Sequence, residues 1–202
     1  MKYKNNRVVE ILKIKYPLIQ APMIWITDAR MVSTVSNVGG LGVLGPNAGY
    51  RSIVTDPELT AERMREEIRK TKKLTENPFA VNIVLPYEKS DNTLEYSDKI
   101  LEVCFEEEIR YFVVSGDIRE EYFNKIKNCN GNIIYRPINP SIGCMKKAKS
   151  LGADILVATG YDEGNTGINL INDIPSIEEL IKRLMEDKKS RLEILKKSIP
   201  IG

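Results

Sequence analysis

Apolar runs of strand length recur along this chain and alternate with longer stretches of helical period. Leu18–Ala21, Leu41–Leu44, Phe79–Val84, Tyr111–Ser115, Asn132–Arg136 and Asp154–Thr159 read as six strands. They are near-continuous in hydrophobicity rather than alternating, as expected where both faces of a parallel strand are covered. Between them the pattern predicts helices at about 28–37, 57–74, 92–107, 117–128 and 141–151. Met64 and Ile68 give one of these helices its inward stripe, and Ile142, Met145 and Ala148 do so for another. Asp117-Ile118-Arg119-Glu120 has capping-box spacing, so a helix is expected directly after Ser115-Gly116. Strands and helices in this alternation specify a parallel α/β protein with right-handed crossovers. A barrel and an open doubly wound sheet both satisfy the pattern.

The alternation changes after Thr159, where no helical pattern follows the sixth strand in the expected place. Ser176-Ile177-Glu178-Glu179 is a second capping box, opening a helix with Ile177, Leu180, Ile181 and Leu184 on one face. A single domain over residues 1–187 is expected, with 188–202 as a basic, solvated tail. The chain of 202 residues can bury one sizeable core.

Composition narrows the chemistry. Net charge is only +2, which gives no reason to expect nucleic acid or an anionic membrane as partner. No apolar run reaches the roughly 18 residues of a membrane span. Cys104, Cys129 and Cys144 lack CxxC spacing and read as free thiols in a reducing cytoplasm, with no metal expected. The chain has no histidine, which removes the commonest general base and metal ligand. Chemistry here needs a cofactor, carboxylates, Lys, Tyr or backbone groups.

Candidate residues gather at the strand ends, where ligand sites form in parallel α/β sheets. Gln20-Ala21-Pro22-Met23 closes the first strand with small residues, and Gly45-Pro46-Asn47 follows the second. Ser36-Asn37-Val38-Gly39-Gly40-Leu41-Gly42 lies before a strand, and its glycines read as a helix C-cap and a close helix-to-strand contact. Asn82 is polar within an apolar strand and must find partners, either on a neighbouring strand or on a ligand. Ser115-Gly116-Asp117 ends another strand where backbone amides can meet an anion, and Arg136 ends the next.

Two stretches, Tyr16–Asn47 (YPLIQAPMIWITDARMVSTVSNVGGLGVLGPN) and Met145–Gly160 (MKKAKSLGADILVATG), resemble the nitronate monooxygenase family, formerly 2-nitropropane dioxygenase. That family also includes flavin-dependent enoyl-acyl-carrier-protein reductases. The resemblance runs from about Val8 to Asp187 and implies an α/β fold of the FMN-type TIM (β/α)8 barrel family. It implies cofactor contacts at Ala21, Pro22, Met23, Asn82, Ser115, Gly116, Gly160 and Asp162, with no catalytic residue assigned. One branch of the family places a histidine base in the loop after the sixth strand. Here that loop reads Gly160-Tyr161-Asp162-Glu163-Gly164, similar to the other branch. An already anionic nitronate needs no base.

The two β/α units that hold the FMN phosphate in the family have no counterpart, and Asn165–Ser176 resembles a segment nearer the family's C-terminus. An internal deletion joined near Gly164 is therefore expected, leaving an incomplete barrel of about six parallel strands with open edges. The activity implied is FMN-dependent oxidation of alkyl nitronates with dioxygen. The alternatives are flavin-dependent enoyl reduction with NAD(P)H, or a non-catalytic truncated relic. FMN binding by this chain alone is expected to be weak or absent. The expected partners are a small-molecule substrate and, through the open sheet edges, further copies of the chain.

Overall fold

In the computed structural model, which describes residues 6–50, 52, 54, 56–86, 91–158 and 176–185, strand order in space follows strand order in sequence. The sheet consists of β1 (Gly42–Leu44), β2 (Phe79–Leu85), β3 (Tyr111–Gly116), β4 (Asn132–Arg136) and β5 (Ile155–Leu156), all parallel. The helices are α1 (Arg7–Leu12), α2 (Ala29–Val38), α3 (Pro57–Leu74), α4 (Asp91–Glu106), α5 (Glu120–Asn128) and α6 (Ile142–Ser150). The chain divides into two compact units, Met1–Asp162 and Glu163–Gly202. All named elements belong to the first. In the second, residues 177–185 are helical, and Ser176 Oγ accepts from the Glu179 N–H at 3.2 Å, the bond expected of that cap. Ile181 is buried there, while Leu180 and Leu184 are exposed.

Packing decides between the two architectures that the pattern leaves open. Leu44, Phe79, Val81, Ile83, Leu85, Phe112, Val114, Ile133 and Tyr135 face one continuous core, shared with residues of α2, α3, α4, α5 and α6. Alternate residues, Val43, Ala80, Tyr111, Val113 and Ile134, face a second, smaller core. That inner core includes Leu12 and Ile14 from α1 and the segment after it. Every crossover helix thus lies on one face. A doubly wound sheet places helices on both faces, whereas a barrel wall keeps them outside. The unit is an arc of a TIM-type barrel. Among the described residues its wall ends at Ile19 on one side and at β5 on the other.

α1 closes the inner face near the starts of the strands. Asn6 opens it by accepting the Val8 and Val9 N–H groups, and Lys13 at φ 56° ends it. Its six residues are too few to display a helical period in the sequence.

Four expectations change. The first strand shrinks to one bridge, Ile19 to Leu41, because the Gln20 side chain takes the Val43 N–H at 3.0 Å in place of the backbone. Ala21 and Pro22 then leave the ladder, and proline has no N–H with which to rejoin it. The last strand spans Ile155–Leu156 rather than the longer run, whose final residue lies outside the described residues. α5 begins at Glu120 with Arg119 as its N-cap and no side-chain cap bond, so the Asp117–Glu120 box does not form. Gly116 at φ 107° turns the chain before a helix can start. Finally, Ile142 is 77% exposed in the first turn of α6, beyond the reach of the strands, and Ala148 carries that helix's burial.

Candidate functional site

The ends of β2, β3 and β4 form the inner wall at the C-terminal face. Strand alternation and register put Asn82, Val84, Ser115 and Arg136 on that wall, with Val84 opposite Ser115 and Ser115 opposite Arg136. Asn82 is 4% exposed, and its Nδ2 donates to Val113 O at 2.8 Å and Ser115 Oγ at 3.0 Å. Both amide hydrogens are therefore committed to β3. Among the described residues nothing donates to Asn82 Oδ1, and nothing accepts the Ser115 hydroxyl proton. The wall thus presents an acceptor and a donor side by side. Val84, on the same face, is 47% exposed.

Two loops extend this face beyond β1. In the first, the Thr27 side chain is fully buried and exchanges hydrogen bonds with Met23, accepting from its N–H at 3.2 Å and donating to its carbonyl at 3.0 Å. Met23 is 37% exposed, Ala21 is exposed, and the Ala21 N–H has no acceptor among the described residues. The second loop, Gly45–Tyr50, is zipped to the first: Trp25 N–H donates to Pro46 O at 3.2 Å and Gly49 N–H to Trp25 O at 3.3 Å. Gly45 must lack a side chain, since a β-carbon would lie 2.5 Å from Thr27 Oγ1. Asn47, at φ 54°, has a buried Oδ1 with no partner among the described residues.

Asn82 and Ser115 are thus in contact, and Ala21, Pro22 and Met23 lie across β1 from them. Gly116 is buried and its carbonyl accepts from Tyr135 Oη at 2.9 Å. Because α5 starts at Glu120, Ser115 and Gly116 do not form a helix N-terminus, contrary to the expectation of an anion site there. Gly160 and Asp162 lie outside the described residues. No cluster of metal-ligating side chains is found among the described residues.

Ser36–Gly42 sits at the opposite end of the strands. Gly39 ends α2 at φ 109°, and Ser36 Oγ donates to Pro78 O at 2.9 Å while accepting from the Gly42 N–H at 3.3 Å. Its role in the fold is structural. A groove of about 540 Å³ between α1 and the end of α2 also lies at this end, lined in part by Lys13, Lys15 and Asn37.

Two residues escape the sequence reading. Gln20 is indistinguishable from any polar strand-end residue until its side chain is seen replacing a ladder bond. Glu67 is buried on α3, and Thr60, Met64 and Thr71 share its helical stripe, so the period did carry the signal.

The sequence model of the nitronate monooxygenase family matches residues 5–167. The chain belongs to that family. A probable nitronate monooxygenase of Staphylococcus haemolyticus is 43% identical over 86 residues, 43% of this chain and 21% of the relative. Its counterpart in Staphylococcus aureus strain JH9 is 38% identical over 88 residues, covering 44% and 22%. Among solved structures, the M276A mutant of FabK from Thermotoga maritima superposes with a TM-score of 0.63 at 25% identity, covering 78% of this chain and 47% of that one. Nitroalkane oxidase from Streptomyces ansochromogenes superposes at 0.60 with 17% identity, covering 77% and 49%, and supports the fold alone. The chain matches about a fifth of the length of the curated relatives, 21%, and under half, 47%, of the first solved neighbour.

Proposed function

We propose that this chain supplies the ring-facing wall of an FMN site in an oxidoreductase of the nitronate monooxygenase type, with alkyl nitronates as substrates. The observation that carries the reading is the Asn82–Ser115 pair. Its neighbouring acceptor and donor complement the alternating N–H and C=O groups along one edge of a flavin ring. Exposed Val84 and Met23 offer apolar surface for the ring's face, and the open Ala21 N–H offers a further donor. These residues fit a flat, partly polar ring. FMN, when bound, supplies electron transfer from the nitronate to dioxygen, and the protein supplies orientation and electrostatics. With no histidine in the chain, proton abstraction from a neutral nitroalkane has no imidazole base, so the substrate enters as the anion.

The phosphate side has no equivalent assignment. A deletion near Gly164 would remove the family's phosphate turns, and it supports weak FMN binding by these 202 residues, carried by the ring alone. Each hydrogen bond to a charged phosphate contributes about 1.5–3 kcal/mol. Loss of three costs at least ~4 kcal/mol, roughly a thousandfold in affinity. Among the described residues the sheet ends at Ile19 and β5, and edges left open there would support self-association.

Oxygen uptake dependent on an alkyl nitronate, measured with saturating FMN, tests the reading; no uptake above free FMN contradicts it. A second reading, reduction of an enoyl thioester by NAD(P)H, follows from the family's flavin-dependent enoyl-acyl-carrier-protein reductases, and the Asp162-Glu163-Gly164 string does not separate it from the first. NAD(P)H oxidation that requires the enoyl substrate would select it.

A further inference from the structure

We propose that Glu67 on α3 is a positioning residue for the loops of the C-terminal face, holding the first N–H of α2 and seating Gly49. Glu67 is 3% exposed, and its Oε2 accepts from the Ala29 N–H at 2.9 Å across a separation of 38 residues. Its Oε1 pairs with Lys70 Nζ at 2.8 Å. The helix does not need this bond to be capped, since Asp28 already accepts the Met31 N–H at 3.0 Å. The Glu67 bond is a second cap, and it comes from a different helix. It ties the start of α2 to α3 just after Thr27, the residue that closes the Met23–Thr27 loop.

The same carboxylate shapes the neighbouring loop. Gly49 is at φ 74°, and a β-carbon on it would lie 2.9 Å from Glu67 Cδ and Oε1. Gly49 N–H in turn donates to Trp25 O. One buried carboxylate therefore meets the second loop at Gly49 and the helix start that directly follows the first. A buried carboxylate is costly unless its oxygens are satisfied, and both of these are. An apolar residue would suit packing beside Met64 and Ile68 but could not hold Ala29. The consequence for cofactor binding rests on the flavin reading above, whereas the positional claim does not.

Trp25, the chain's single tryptophan, reports the loop directly. In the flavin-free full chain, Glu67→Met is expected to raise acrylamide quenching of Trp25 and shift its emission to the red, with helix content retained. Glu67→Gln keeps an acceptor for Ala29 and is expected to retain the parent's fluorescence. Ala29→Pro removes the donor instead; proline is tolerated at the first helical position, and Asp28 at φ −83° and ψ 179° has the backbone a following proline requires. It should reproduce the Glu67→Met change, and the two should not add. If Glu67→Met does not fold, Ala29→Pro decides. Unchanged Trp25 quenching in either folded variant, or a Glu67→Gln that behaves like Glu67→Met, overturns the proposal. FMN titration of the same proteins separates the two readings: no binding by the parent contradicts the flavin site and leaves the Trp25 result as the judge of Glu67.

Discussion

At the scale of single residues, Gly116 combines two constraints that its place in the sequence conceals. It sits at φ 107°, and a β-carbon there would lie 1.9 Å from the Leu85 carbonyl oxygen. Side chains are excluded by backbone strain and by collision with β2. Gly116→Ala is therefore expected to destabilise the fold by about 2–4 kcal/mol, read from its chemical denaturation midpoint. A loss near zero would show that β2 and β3 can separate at their ends without cost. Asn82 tests legibility differently. A polar residue within Phe79–Leu85 announces a need for partners, but only the geometry shows its amide spent on Val113 and Ser115 with its oxygen left over. The amide nitrogen meets the neighbouring-strand reading, and the oxygen is the atom that the proposed flavin contact would use.

Tyr50 carries a residue-scale pH dependence. Burial, with the hydrogen bond to Glu66 and the nearby charge of Glu66 and Glu67, pushes its phenol from its ordinary value of 10.0 up to about 12. Between those values the folded protein holds a proton that the unfolded chain has lost. The stability this confers is complete below pH 10 and is lost as pH rises through about 12. Tyr50→Phe is expected to lose stability less steeply than the parent across that window, in denaturation series matched for ionic strength. Equal slopes would remove Tyr50 as the source.

Among the elements, closeness between α2 and β1 is the main demand. A β-carbon on Gly42 would lie 2.3 Å from the Val32 carbonyl oxygen, so helix and strand meet backbone to backbone. Gly42→Ala must push α2 off the wall, and with it the Met23–Thr27 loop that leads into the helix. The expected cost is about 2–4 kcal/mol by thermal or denaturant unfolding, with Trp25 fluorescence perturbed even in the folded state. The Ser36–Gly42 string signalled this packing openly, because glycines beside a helix end have few other uses. The first strand was less legible. Its apolar run Leu18-Ile19 continues into Gln20, and nothing in a sequence says that a side chain will take over a ladder bond. The start of α5 failed for a related reason: capping-box spacing at Asp117 competes with the turn at Gly116, and the backbone turn wins.

For the molecule as a whole, hydrophobic period identified parallel α/β structure but could not say which face each helix covers. That is a property of packing, and it became decidable only when every crossover helix shared one core. The family match over residues 5–167 and the arc of barrel wall agree. The proposed function requires the described face to grip a flavin ring with little hold on its phosphate. Comparing FMN with riboflavin, the same ring without phosphate, tests both halves at once. Calorimetric or fluorescence titration of the full chain is predicted to give weak binding of both ligands, with dissociation constants within about tenfold of each other. Stoichiometric FMN in the purified protein, preferred over riboflavin by roughly a thousandfold, or failure of both flavins to bind, would contradict it.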